Sequence, residues 1–173
     1  MNIFLVGYRG SGKTTVAAKL AERLRWDWVD ADAELEKQHA KTIKQIFAEG
    51  GEAAFRDYEA DILQQIASQD RRIVALGGGV VLREANRNLL KDCGKVVWLK
   101  APAEVLFERI MADMTTAERR PNLTAQGGIA EIRTLLAQRE PLYATVADLK
   151  VAADRPPAEI AETILDELGL VTA

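Results

Sequence analysis

The octapeptide GYRGSGKT, Gly7 to Thr14, follows the apolar run NIFLV and opens the helix-period segment KTTVAAKLAERL. It fits G-x-x-x-x-G-K-[S/T], and a strand before it with a helix after it is the context in which that pattern folds into a phosphate-binding loop. Its glycines let the backbone curl so that successive N–H groups converge, and the helix N-terminus adds partial positive charge at the same point. Gly10, Ser11, Gly12, Lys13, Thr14 and Thr15 are therefore expected to hold a nucleoside triphosphate. Lys13 would reach the β- and γ-phosphates, and Thr14 would offer its hydroxyl to Mg²⁺. A plain glycine-rich turn is the competing reading, and the joint match of pattern and context disfavours it.

A loop of this kind needs a parallel sheet behind it. Four more short apolar runs, WDWVD (26–30), RIVAL (72–76), KVVWL (95–99) and DLKVA (148–152), alternate with helix-period stretches. This alternation predicts a single α/β domain over residues 1–173, with helices on both faces of a parallel sheet. A chain of 173 residues fits one such core and is short for two. The last helix is expected to start at Pro157, to place Ile160, Ile164 and Leu168 on one face, and to stop at Gly169.

Composition removes several classes. The 23 basic and 26 acidic residues are interspersed, leaving no electrostatic footprint for nucleic acid. Cys93 and His39 are the only residues of their kinds, which excludes a disulfide framework and disfavours a Cys/His metal centre. The opening apolar run is too short for a secretory segment and no run approaches a membrane span. The expectation is a cytoplasmic protein with no membrane partner and, lacking an obvious exposed apolar stripe, a monomer.

Parallel strands joined by right-handed crossovers end on one edge of the sheet, where ligands collect. The second strand finishes in VDAD, so Asp30 and Asp32 arrive beside the loop. If that segment stays extended, residues two apart project the same way. The third strand ends in Gly77, Gly78 and Gly79, whose missing side chains let a ligand approach backbone N–H groups. In GEAAFRDYEADILQQI, Arg56 has Glu52 four residues before it and Glu59 three after it, a helical spacing that can fix a guanidinium. A surface ion-pair run is the plainer interpretation. Arg139 falls on an inward stripe with Ile129, Ile132, Leu136 and Tyr143, where a charge requires a partner or a ligand. Pro141 is expected to break or kink that helix beside the cleft. The polar stretch TTAERRPNLTAQGG reads as a lid, at about 112–127, able to carry Arg119 or Arg120 onto phosphates.

Together, GSGKTT at 10–15, VDAD at 29–32, IFAEGGEAAFRDYE at 46–59, GGGVVL at 77–82, RRPNL at 119–123 and REPLY at 139–143 make the chain resemble the shikimate kinases. This P-loop family is related in fold to nucleoside monophosphate kinases, and the resemblance runs from Ile3 to about Leu168. It implies a three-layer sandwich with sheet order 2-3-1-4-5 and a substrate-binding helical region at about 33–62. It also implies transfer of the γ-phosphate of ATP to the 3-hydroxyl of shikimate, giving ADP, in aromatic amino-acid biosynthesis.

By the same resemblance Lys13, Asp32 and Arg120 carry the chemistry, and Asp30 joins Thr14 on the Mg²⁺ side. Asp32 meets shikimate hydroxyls, Arg56 and Arg139 clamp its carboxylate, and Gly77, Gly78 and Gly79 offer backbone. Arg109 and Arg120 belong to the ATP side, with the segment from Arg155 to Pro157 near adenine. The residues alone leave two alternatives open: a kinase for gluconate or a nucleoside monophosphate, and a non-catalytic nucleotide-binding module.

Overall fold

The structure, a computed structural model, describes residues 1–113 and 127–170. Strand β1 (Asn2–Val6) is followed by α1 (Lys13–Leu24), β2 (Asp27–Asp30), α2 (Ala31–His39) and α3 (Ile43–Ala67). Then come β3 (Arg72–Ala75), a short 3-10 turn (Val80–Leu82), α4 (Glu84–Cys93), β4 (Gly94–Lys100) and α5 (Ala103–Ala112). Helix α6 (Gly128–Val146), β5 (Leu149–Ala152) and α7 (Pro157–Glu167) complete the described chain.

All strand pairs are parallel, in the order β2-β3-β1-β4-β5. Strand β1 lies at the centre and is buried on both faces, which is why NIFLV is apolar without alternation. Its side chains still divide by the strand period of two. Ile3 and Leu5 join a core with α1, α5 and α7, whereas Phe4 and Val6 join a second core with α2, α3 and α4.

Helix α6 belongs to both cores. Ile132 and Leu135 pack into the first, and Tyr143 and Val146 into the second, so its middle passes the carboxyl ends of the strands with Arg139 between them. Of the expected inward stripe, Ile132, Arg139 and Tyr143 are buried and Leu136 packs partly buried against the first core, while Ile129 is half-buried and joins neither; Glu131, Leu135 and Val146 are buried as well. Pro141 does not end the helix, which continues to Val146. Because proline lacks an N–H, the carbonyl one turn earlier loses its helical donor, but α6 is held from both sides by packing and does not stop there. Arg139 therefore reaches the crevice from the flank of a helix and not from its tip.

Two local sequence features shape α3. Thr42 caps α3 in a reciprocal capping box with Gln45, and Gly51 (φ 72°, ψ −173°) interrupts α3 with a conformation that favours glycine. His39 stacks against Tyr58 at 4.0 Å, tying α2 to α3. Pro157 opens α7 and Gly169 follows it at φ 63°, as the sequence pattern implies. Among the described residues, no helix is long and apolar enough to cross a membrane.

Candidate active site

The loop between β1 and α1 is built by its backbone. Gly7, Gly10 and Gly12 have φ of 147°, 84° and 90°, and the Ser11 N–H donates to the Tyr8 carbonyl at 3.1 Å. At Gly7 a Cβ would stand 2.6 Å from the Leu99 carbonyl oxygen, so β4 packs too close for any side chain there. Lys13 Nζ donates to the carbonyls of Gly7 (2.8 Å) and Tyr8 (2.9 Å), holding its ammonium over the concave side of the loop. Thr14, Thr15, Asp30, Asp32 and Arg109 line the same crevice. Arg109 donates to the carbonyls of Gly10 (3.4 Å) and Ala153 (2.7 Å), bridging the loop to the segment after β5. Arg155 lies further on in that segment and donates to the Thr163 hydroxyl at 3.2 Å.

The two aspartates do not sit on one extended strand as expected. Strand β2 stops at Asp30, which is the N-cap of α2, and its Oδ1 accepts the N–H groups of Asp32 (3.0 Å) and Ala33 (3.1 Å). A carboxylate two or three residues before free helical N–H groups satisfies them better than continued extension would, so Asp30 begins the helix. Asp32 thus projects from a first helical turn, yet both residues still face the crevice.

Asp30 uses its other oxygen, Oδ2, to accept the Thr14 hydroxyl at 2.9 Å. A hydroxyl and a carboxylate side by side at a phosphate loop are hard oxygen donors of the kind Mg²⁺ takes alongside phosphate oxygens and water. The residues present fit that ion. Among the described residues, no group of three or more His, Cys, Asp or Glu forms a metal cluster by itself.

A second pocket adjoins the first and is built from side chains. Its walls include Phe47, Phe55, Arg56 and Glu59 from α3, Gly77 to Gly79 after β3, Tyr8 and Arg9 from the loop, and Glu131 and Arg139 from α6. Arg56, Glu59 and Arg139 are only 7%, 5% and 5% exposed, which rules out a surface ion-pair run at Arg56. Arg56 donates to Glu59 at 2.9 Å and to Glu52 at 3.3 Å. Even so, Arg56 Nε, Glu59 Oε2 and Arg139 Nε are buried without a hydrogen-bond partner. Three orphaned polar atoms around one cavity are costly unless a ligand satisfies them.

Burial raises the Glu59 carboxyl above its ordinary value, with the Arg56 charge opposing that shift. Burial also raises the Tyr143 phenol, which keeps its proton and donates it to the Gly78 carbonyl. Behind it, the Tyr143 ring packs on Trp98 at 5.7 Å. The backbone of Gly78 is thereby pinned from the sheet side.

The three glycines serve the protein's own side chains as well as any ligand. A Cβ at Gly77 would lie 2.9 Å from Glu59 Oε2 and 3.0 Å from Asp32 Oδ1, and one at Gly79 would lie 2.3 Å from an Arg56 nitrogen. None of the three has positive φ, so close approach, and not backbone freedom, is what requires glycine here.

Geometry thus gathers Lys13, Thr14, Asp30, Asp32, Arg56, Gly77, Gly78, Gly79, Arg109 and Arg139 at one edge of the sheet. Arg119 and Arg120, with nearly all of the expected lid, lie outside the described residues. Sequence reasoning did not single out Tyr8, Arg9, Phe47, Phe55 or Glu131 as pocket walls. Tyr8 and Arg9 occupy variable positions of the loop pattern, and only the pattern's spacing gave a hint of where they point.

The profile of the shikimate kinase family matches residues 9–169. A shikimate kinase of Rhodopirellula baltica is 44% identical over 150 residues, covering 87% of this chain and 80% of its own. A solved shikimate kinase of Acinetobacter baumannii in complex with shikimate superposes with a TM-score of 0.91 at 36% identity, covering 96% of this chain and 92% of the other. A gluconokinase of Sinorhizobium meliloti shares the fold at TM-score 0.64 and 20% identity over 97% and 91% of the two chains. That last likeness speaks to fold alone, whereas the first three each match most of this chain. The chain belongs to the shikimate kinase family.

Proposed function

We propose that the protein transfers the γ-phosphoryl group of ATP to the 3-hydroxyl of shikimate, releasing ADP and shikimate 3-phosphate for aromatic amino-acid synthesis. The observation that carries this reading is the acceptor pocket, in which the buried Arg56 and Arg139 lie next to the crevice lined by Asp32 and Lys13. A carboxylate arriving there meets two planar, permanently charged donors whose Nε atoms lack partners. The ring walls, half-buried Phe47 and buried Phe55, suit the carbon frame of a small cyclic acid.

Phosphoryl transfer passes through a loose transition state, so catalysis is mostly positioning and charge stabilisation. Lys13, now on loop carbonyls, turns to the β- and γ-phosphates when a nucleotide enters. Thr14 and Asp30 would hold Mg²⁺, which would supply positive charge at the phosphate end of the nucleotide. Asp32 orients the acceptor hydroxyl and takes its proton as the new P–O bond forms and the bridging P–O bond to ADP breaks. Arg120 adds charge from the lid at about 112–127, and the helical region at about 33–62 carries the acceptor.

The test is to incubate the protein with Mg·ATP and shikimate, gluconate or AMP and to follow ADP. ADP release with shikimate alone is the expected result. Release with gluconate or AMP instead overturns the acceptor, and none with any of them leaves a nucleotide-binding module.

A further inference from the structure

Arg9 occupies a unique place among the described residues: with Ile43 it lines both the phosphate crevice and the acceptor pocket, and it is the one cationic residue common to the two. The loop fixes where it stands. The Ser11 N–H closes a turn onto Tyr8, Gly10 adopts φ 84°, and the Arg9 backbone nitrogen lies against Gly78, 3.5 Å from where a Cβ would be.

Every other pocket cation is already engaged. Arg56 is held by Glu52 and Glu59, Arg109 by two carbonyls, Lys13 by the loop carbonyls, and Arg139 stacks over Tyr8 at 5.8 Å. Arg9 has neither a carboxylate nor a hydrogen-bond partner among the described residues.

We infer that Arg9 binds the phosphoryl group after it has crossed to the acceptor, acting as the anion site of the phosphorylated product. The inference rests on the proposed function. During transfer the acceptor oxygen gains the P–O bond that ADP loses, and the hydroxyl proton passes to Asp32. A group that began as a phosphoanhydride end, served by Lys13, becomes a dianionic ester displaced toward the acceptor pocket. The cation that lines both cavities meets it there. Before transfer the acceptor's single carboxylate is already matched by Arg56 and Arg139, so Arg9 has little to add to the unphosphorylated acceptor.

The test compares equilibrium binding of shikimate, shikimate 3-phosphate and ADP to wild type, Arg9→Met and Arg9→Lys by calorimetry. In Arg9→Met the product Kd should rise by about tenfold or more, the scale of one charge-assisted hydrogen bond, while the shikimate and ADP Kd values stay within about twofold. Arg9→Lys should recover most of the loss. If Arg9→Met does not fold, Arg9→Gln, which keeps the stem and loses the charge, takes its place in the comparison. Equal weakening of shikimate and product would assign Arg9 to the acceptor carboxylate, a matching loss for ADP would assign it to the nucleotide, and unchanged product affinity would remove the site. Any of these overturns the inference. Turnover of shikimate by wild type tests the proposed function separately, so an active enzyme with an insensitive Arg9 variant refutes this step alone.

Discussion

The two halves of the crevice are made of different material. On the nucleotide side the loop's own amides, carbonyls and positive-φ glycines form the surface, and side chains such as Lys13 and Thr14 finish it. On the acceptor side the surface is buried side chain: Arg56, Glu59 and Arg139, with three glycines admitting them. A backbone-built cradle recognises a group common to many molecules, and a side-chain pocket recognises one shape. The first is also stable without its ligand, whereas the second keeps three buried polar atoms waiting.

The largest effect should come from the residue at the seam. Asp32→Asn is expected to lower kcat by about 10²–10⁴, the range of a positioned acid or base, in steady-state assays at saturating ATP and shikimate. Near-normal turnover would dissolve the division of labour between Asp30 and Asp32. Next come Arg56→Lys and Arg139→Lys, which keep charge and lose the planar fork. Each should raise the shikimate KM by about tenfold to a hundredfold with the ATP KM nearly unchanged. If both leave the shikimate KM alone, no clamp exists.

A pair of glycine substitutions sets the two materials directly against each other. Gly7→Ala places a Cβ on the Leu99 carbonyl at φ 147°, and should cost about 1–3 kcal/mol in urea unfolding. Gly79→Ala, at φ −98°, collides only with the movable end of Arg56 and should cost about 1 kcal/mol while raising the shikimate KM. The reverse ranking in stability would mean that the acceptor side is the more rigid.

The smallest expected effect is on pH dependence. Glu59 binds its proton more tightly folded than unfolded, because burial raises it from 4.5. Stability from this group therefore falls as pH rises from 4.5 through the raised value, and is level beyond it. Glu59→Gln should remove that fall, measured as unfolding free energy across pH, and an unchanged profile would assign the slope to other groups.

The same contrast explains what could be read before the structure. The loop, the five strands and their flanking helices are local patterns, written within a few residues of one another. Asp30 ends β2, whereas Asp32 falls in a first helical turn and not on a continued strand, because the capping of α2 by Asp30 depends on where the helix starts. Pro141 leaves α6 unbroken because the helix packs into two cores, a tertiary fact with no local trace. Arg56 carried the right spacing, but only its burial separates a clamp from a surface pair. Tyr143 could be placed on an inward stripe, yet its bond to the Gly78 carbonyl joins residues 65 apart and has no local trace.

Asp30 has a consequence for how the two substrates influence each other. One oxygen takes the Thr14 hydroxyl, and the other holds the first turn of the helix that presents Asp32. A nucleotide complex that drew on Thr14 and Asp30 would thereby change the charge at the start of α2. Linkage then makes the influence mutual: whatever factor the nucleotide applies to acceptor affinity, the acceptor applies to nucleotide affinity. The carboxylate that would carry this mutual influence is a single side chain with two unlike engagements, one on the phosphate loop and one on the helix of Asp32.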